Sequence, residues 1–321
     1  FLITFIVFQS IVSYIAFQRS PWGDERHFIE TARLLGNDFT LQNLTHYKEM
    51  SSPLPFIIYG LWGKMTSFEL NRLRLLSPVI ALTTYLLLFA LIWRVTRNGL
   101  LTLIGVLFFM FHPYMVGFST FVFTDMLTIL FLILAVYAIY TRDPLLLFVG
   151  NAGALLSRQY AVFFTIAAGV YFLLILLTQK NKNNMFILGI SLVLSCFPLI
   201  ICFFLWEGFV PDSPLKNIYL KYAFSYHVPA LFMYLSLLFL YMMPFIFIAV
   251  RRIYGRCRPR TYFILLVISG VYWLAPVVPS PSGIDANINT LGIFHKVIDS
   301  FSQNVLFQQG IFFICFALAM P

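Results

Sequence analysis

Apolar residues run through this chain in long blocks, and polar residues gather in the gaps between them. A membrane-crossing helix needs about 20 apolar residues. Candidate spans lie at roughly 1–17, 76–93, 99–116, 118–140, 144–157, 160–178, 185–205, 229–250, 261–279 and 305–321. The runs at 99–116 and 144–157 are short or interrupted, as in helices that are tilted, broken or shielded by neighbours. The pattern predicts an all-α polytopic membrane protein, a bundle of about ten transmembrane or partial helices. No repeat, low-complexity tract or linker divides it, so a single transmembrane domain over 1–321 is expected. The chain starts at Phe1 and stops at Pro321, each inside an apolar run, and reads as a fragment of a longer protein. Gln18-Arg19-Ser20-Pro21 after the first run offers no small-residue cleavage pattern, so that run is read as a span and not a signal peptide.

The longest polar interruption is the first, a loop over about 18–75 that opens on the acidic pair Asp24-Glu25. GDERHFIETARLLG reads as a short amphipathic helix. Asp24 stands at or near its start, acids fill the first turn and Gly36 follows its end. Phe28, Ala32 and Leu35 share one face, suited to lying on the bilayer surface. SSPLPFIIYGLWGKM comes next. Its prolines prevent a regular start, and the apolar stretch with Tyr59 and Trp62 is too short for a span, so a second interfacial helix is expected.

Composition strengthens the membrane reading. Only 10% of residues are charged and 60% are hydrophobic, where a soluble domain of this length carries roughly 25% charged residues. The net charge of +9 suggests nucleic acid until its distribution is examined. If all ten spans cross, one face carries Arg94, Arg97, Arg142, Lys180, Lys182, Arg251, Arg252, Arg256, Arg258 and Arg260 against the single acid Asp143. The other face carries the remaining eleven Lys/Arg and eleven acids, a balance of zero. By the positive-inside rule the basic face is cytoplasmic. RRIYGRCRPR (251–260) is then a topology anchor, and no nucleic-acid partner is expected. The neutral face is exoplasmic and holds the three substantial loops, about 18–75, 206–228 and 280–304. Cys196, Cys202, Cys257 and Cys315 lie in or beside apolar spans without CxxC spacing, as small buried hydrophobes do.

Four ionisable groups stand at exoplasmic ends of spans: Asp24, Glu25, Asp125 and Arg158. Such groups are costly at membrane depth and tend to be buried in protein, paired and functional. Neighbours on a helix point about 100° apart, so only one of Asp24 and Glu25 faces a given site. Asp24 is the better fixed and the expected base, although both acids also suit the plain task of capping a surface helix. Asp125, in FVFTDMLTILF, reads either as a functional carboxylate or as an N-cap helped by Thr124. Arg158, beside Gln159, reads either as an anchor for an anion or as an interfacial arginine reaching for the head groups. His27, His46, His112, His227 and His295 show no HxxH or HxxxH pair, so no metal is expected, and no cofactor either. There is no phosphate-cradling glycine loop and no GxSxG. That removes nucleotide-dependent catalysis on the cytoplasmic face.

The exoplasmic side has no nucleotide sugars or ATP, so an activated donor there is lipid-linked. A polyprenyl-phosphate sugar brings its own leaving group. Its transfer asks for a carboxylate to take the acceptor hydroxyl proton and a cation to hold the phosphate. Asp24 and Arg158 meet those demands, and Asp125 is placed to orient the acceptor or Arg158. Single in-line attack inverts the anomeric carbon.

The order of these features resembles the multi-spanning GT-C glycosyltransferases, whose acidic motif lies in the first exoplasmic loop. Within them it is most similar to the dolichyl-phosphate-glucose-dependent α-1,2-glucosyltransferase family, which adds the last glucose to the N-glycan precursor. That family carries an MDExFH stretch after the first span, a TTPPGLY-like stretch, a YTD and an FRQTN. This chain carries GDERHF (23–28), SSPLPFIIY (51–59), FTD (123–125) and SRQYA (157–161) in the same order, over about residues 20–175. His27-Phe28 reverses the family's order, SSPLPF lacks the glycine, and Tyr160-Ala161 follows Gln159 where the family has Thr-Asn. The resemblance implies a GT-C fold, a lipid-linked sugar donor, a glycan or lipid-linked acceptor, and no metal. It gives Asp24 the base role with Glu25 as neighbour, and places His27, Asp125, Arg158 and Gln159 in substrate binding.

Rival readings are another GT-C enzyme, of the protein O-mannosyltransferase or lipid A-modifying kind, a transporter or flippase of lipid-linked sugars, and a non-catalytic assembly subunit. A transporter would place charges near the midplane in two related halves; here no half-to-half similarity is found. The expected location is the endoplasmic reticulum membrane in a eukaryote and the inner or plasma membrane in a bacterium. Asn43-Leu44-Thr45 is a glycosylation acceptor pattern that lumenal exposure would make usable.

Overall fold

A computed structural model describes residues 2–178 and 183–211, all within the compact unit Phe1–Ile218. The expected spans 229–250, 261–279 and 305–321, the loop 280–304, most of 206–228 and the basic run 251–260 lie outside the described residues.

Among the described residues all regular structure is helical. The helices are α1 (Leu2–Phe17), α2 (Glu25–Asn37), α3 (Leu41–Thr45), α4 (Leu54–Thr66), α5 (Leu70–Arg74), α6 (Leu76–Thr96) and α7 (Gly99–Met110). Then follow α8 (Pro113–Phe118), α9 (Asp125–Thr141), α10 (Pro144–Ser157), a 3-10 turn at Gln159–Ala161, α11 (Val162–Thr178), α12 (Asn183–Leu194) and α13 (Phe197–Leu205). Three helical stretches are long and apolar enough to cross a membrane: Leu70–Thr96, Gln159–Thr178 and Asn184–Leu205. α1, α7, α9 and α10 are apolar but shorter. Each expected span within the described residues therefore contains apolar helix, but only these three stretches have the length to cross a membrane, and the expected bundle of about ten spans is not reached among the described residues.

Three boundaries differ from the hydropathy pattern, two of them at prolines. The run 99–116 breaks into α7 and α8, because Pro113 at the start of α8 has no N–H to continue the ladder. The run 118–140 turns through residues 119–124 and becomes helical only at Asp125. The run 185–205 divides at Ser195-Cys196, with Pro198 in the first turn of α13.

The first loop departs most from expectation. Phe28, Ala32 and Leu35 do not lie on a bilayer; they are buried against protein. α2 packs lengthwise on α4, and the contact needs glycine on both sides. A Cβ on Gly36 would stand 2.6 Å from the Gly60 carbonyl oxygen, and one on Gly60 equally close to that of Ala32. Gly36 therefore belongs inside α2 as a contact residue, and the helix runs on to Asn37. The two amphipathic segments cover each other's apolar faces.

α9 and α10 form a tight antiparallel pair, with Gly150 so close to α9 that a Cβ would meet the Ala135 backbone nitrogen at 2.6 Å. The hairpin sorts its charges. Arg142 and Asp143 lie at the connecting end, where Asp143 caps α10 by accepting from the Leu145 and Leu146 N–H groups, each at 3.0 Å. Asp125 and Arg158 meet at the opposite end. Deeper in the bundle, buried Asn151 donates to Ser195 Oγ at 2.7 Å and accepts from Thr165 Oγ1 at 2.9 Å. That network joins α10 to α11 and to the α12–α13 break, and satisfies polar groups that hydrocarbon surroundings would otherwise leave costly.

Candidate functional site

The site end of the bundle is organised by an ion pair between Glu25 and Arg74, both side chains wholly inaccessible. Arg74 Nε and Nη2 donate to the two Glu25 oxygens at 2.8 and 2.6 Å. Those oxygens also accept the Val122 N–H at 3.0 Å and the Trp22 N–H at 3.1 Å. Arg74 Nη1 donates to the carbonyls of Ala16 and Arg19, and Nη2 to that of Ser20. The last carbonyls of a helix have no partners within it, so Arg74 satisfies the end of α1 while Glu25 holds the loop before α9. Its guanidinium also lies 5.0 Å from the centre of the Phe121 ring. Four chain segments meet in this one pair. Nothing in the sequence singled out Arg74, because it is one of several arginines around α5 and its partner is 49 positions away.

The clamp fixes the residue beside it. Asp24 occupies the N-cap position of α2 but makes no capping bond with its side chain. The carboxylate is exposed. His27, one turn along, is exposed as well. Of the acidic pair, then, Glu25 turns into protein and Asp24 out of it.

The second polar centre joins Asp125 and Arg158. Arg158 Nη2 donates to Asp125 Oδ2 at 2.9 Å, and Tyr160 Oη donates to Oδ1 at 3.0 Å. Both carboxylate oxygens are thus engaged by the chain itself. Asp125 is the first helical residue of α9, with Thr124 in the cap position. Arg158 Nη1 donates to Ser51 Oγ at 2.8 Å. Its Nε is buried without a hydrogen-bond partner among the described residues. This pair is partly open, with side chains 24% and 18% exposed.

A segment of the first loop is pinned beside this second centre. Gln159 donates to the Met50 carbonyl at 2.7 Å and Ser52 Oγ to that of Leu155 at 2.9 Å. Tyr47 Oη donates to the Ser51 carbonyl at 2.6 Å, and Trp206 Nε1 to that of Leu44 at 3.0 Å. The glycosylation-pattern residue Asn43 sits in α3 with its amide held by the Asp38 backbone and side-chain oxygens.

Glu49 is carried on this pinned segment and is half-buried. Burial pushes its carboxyl above the usual range; His27 draws it down, Asp24 pushes it up, Arg158 draws it down and Glu30 pushes it up. Charges from the start of α2 and from the end of α10 thus both reach it. Sequence reasoning missed Glu49. It is a lone acid before the SSPLP stretch, and only the anchoring of its neighbours to Arg158 and Gln159 gives it a place. Among the described residues, no group of three or more His, Cys, Asp or Glu is placed to hold a metal ion.

The expected residues thus separate by surroundings. Asp24 and His27 are exposed, Asp125 and Arg158 form a half-open pair, Gln159 is spent on the backbone, and Glu25 is enclosed. No family model matches the chain, and neither the curated proteins nor the solved structures contain a significant match to it.

Proposed function

We propose that the chain is a membrane glycosyltransferase. It moves a hexose, glucose by the family resemblance, from a polyprenyl or dolichyl phosphate to a lipid-linked glycan on the exoplasmic face, with inversion. The observation that carries this reading is the end of the bundle where exposed Asp24 and the half-open Asp125–Arg158 pair both stand, Glu25 beside the one holding the loop before the other. It offers what the transfer requires: exposed carboxylate to receive the acceptor proton, and a guanidinium aimed by Ser51 and Asp125 to hold the phosphate. Asp24 is the base. Arg158 has spare N–H groups after its two side-chain bonds, and the Asp125–Tyr160 contacts set its orientation. Gln159 contributes by fixing the Met50 backbone, and Glu25 by fixing Asp24. The charge pairing with Asp125 leaves Arg158 a weaker net cation than a free arginine, so its phosphate grip depends on geometry more than on field.

The test is transfer by the purified protein in lipid. It is supplied in turn with dolichyl-phosphate glucose, dolichyl-phosphate mannose and shorter polyprenyl analogues, each with a lipid-linked glycan, a peptide or lipid A as acceptor. Sugar transfer with inverted linkage, lost in Asp24→Asn, supports the reading. Transfer to peptide or lipid A only would select another enzyme of the same general kind. Full activity in Asp24→Asn would remove the assigned base.

A further inference from the structure

The two arginine–carboxylate pairs differ in how the acid meets the guanidinium. Glu25 takes Arg74 with both oxygens, one on Nε at 2.8 Å and one on Nη2 at 2.6 Å. That two-point fork is the strong form of an arginine–carboxylate pair. Asp125 takes Arg158 with one oxygen only, Oδ2 on Nη2 at 2.9 Å. Its other oxygen, Oδ1, accepts from Tyr160 Oη at 3.0 Å. Arg158 Nε, the donor that a fork would use, is buried without a hydrogen-bond partner among the described residues. A bond left unmade on a buried donor is costly. Turning Oδ1 of Asp125 onto Nε would make it, and the hydroxyl of Tyr160 is what occupies that oxygen.

The local chain places the tyrosine for this task. Arg158 leaves α10 in extended backbone, and Gln159–Ala161 form the 3-10 turn that leads into α11. Gln159 pins the turn by donating to the Met50 carbonyl. The Arg158 guanidinium then lies 5.9 Å from the centre of the Tyr160 ring. Tyr160 is 51% exposed, so the core does not depend on its ring.

We propose, on the glycosyltransferase reading, that Tyr160 is a positioning residue for the donor phosphate. By holding Oδ1 of Asp125 it limits that carboxylate to one hydrogen bond on Arg158, and so keeps the guanidinium able to take the phosphate. It touches no reacting atom; its effect passes through Asp125. Without the hydroxyl, Asp125 turns and forks Arg158 through Nε and Nη2, as Glu25 forks Arg74. An incoming phosphate must then displace two bonds from the guanidinium instead of one, against a carboxylate that matches its charge at both points.

The test uses the purified protein in lipid, as wild type, Tyr160→Phe, Asp125→Asn and Tyr160→Phe/Asp125→Asn. Calorimetry measures dolichyl-phosphate binding, and kinetics measure transfer from dolichyl-phosphate glucose. Tyr160→Phe should weaken binding by about tenfold, the scale of one hydrogen bond to a charged group. Donor KM should rise by a similar factor, with kcat changed by less than about threefold and acceptor KM unmoved, because the phosphate is anionic in both ground and transition states. In the Asp125→Asn background the same change should alter binding by less than about twofold, since a neutral amide cannot fork an arginine. Tyr160→Phe binding within about twofold of wild type, or an equal loss with and without Asp125→Asn, would overturn the assignment and leave the enzyme reading intact. A Tyr160→Phe protein that does not fold would also overturn it, by placing the tyrosine with the architecture. A wild type that neither binds dolichyl phosphate nor transfers from any polyprenyl-phosphate sugar would overturn the enzyme reading and the role of Tyr160 together.

Discussion

Two arginine–carboxylate pairs stand at the same end of this bundle, and they are built for opposite purposes. Arg74–Glu25 is sealed, with every acceptor and donor direction filled by the chain. Arg158–Asp125 is half-open, with Nε unpartnered among the described residues. Charge alone does not distinguish them. What does is how many of the arginine's hydrogen bonds the fold consumes. A guanidinium that satisfies three carbonyls and a carboxylate has nothing left for a ligand. One that satisfies a carboxylate and a hydroxyl does. The sealed pair therefore holds the architecture, and the open one keeps the donors on which the proposed phosphate anchor rests.

The sharpest way to break this contrast is to remove one partner from each pair. Arg74→Met leaves Glu25 buried and uncompensated, together with the carbonyls of Ala16, Arg19 and Ser20. Breaking such a pair costs about 3–5 kcal/mol. Denaturant or thermal unfolding in detergent should show that loss, or failure to accumulate folded protein at all. Arg158→Gln should behave differently. The half-open pair should contribute far less than a sealed one, nearer the about 0–1 kcal/mol of a solvent-screened pair, so folding should survive while sugar transfer falls by about 10²-fold or more, the size expected for losing one preorganised donor to a developing charge. If Arg158→Gln unfolds as readily as Arg74→Met, the second pair is structural too and loses its claim on a ligand.

A milder probe acts on the positioning of Arg158. Ser51→Ala removes the hydroxyl that receives Nη1, a hydrogen bond to a charged group worth about 1.5–3 kcal/mol. Donor binding should weaken by roughly tenfold or more, since 1.4 kcal/mol is a factor of ten. The unfolding midpoint should move little, because the guanidinium can turn to water. Titration with polyprenyl phosphate, read by tryptophan fluorescence or calorimetry, separates the two effects.

Sequence periodicity located the apolar helices well, because a run of about 20 apolar residues has few other uses. It failed where proline and polar residues interrupt such a run, at Pro113 and at Ser195-Cys196. The first loop was legible as two amphipathic helices, but their partner was misjudged. Nothing local tells an apolar face meant for lipid from one meant for another helix; Gly36 and Gly60 gave the clue only once they were found in contact. Among polar residues, Asp24, Asp125 and Arg158 could be singled out by their position at span ends. Arg74 could not, since its meaning comes from a contact across 49 residues, and Glu49 could not, since its meaning comes from its neighbours' anchors.

Glu49 also offers the smallest and most selective probe. Burial raises its carboxyl above the usual range, with Asp24 and Glu30 pushing the same way and His27 and Arg158 opposing. A carboxyl whose proton is held more tightly in the folded state stabilises that state fully below the ordinary carboxylate range. The increment is lost as pH rises through the raised folded value. Glutamine does not titrate, so Glu49→Gln escapes the loss. The melting temperature of the variant relative to wild type should therefore climb as pH rises through that window and level off above it. At neutral pH the gain should remain within about 0.5 kcal/mol, as for most changes at half-exposed positions. The sealed pair predicts the reverse, since every change to Arg74 or Glu25 lowers stability. A Glu49→Gln melting curve that falls below wild type at neutral pH would place Glu49 with the architecture, beside Glu25 and Arg74, instead.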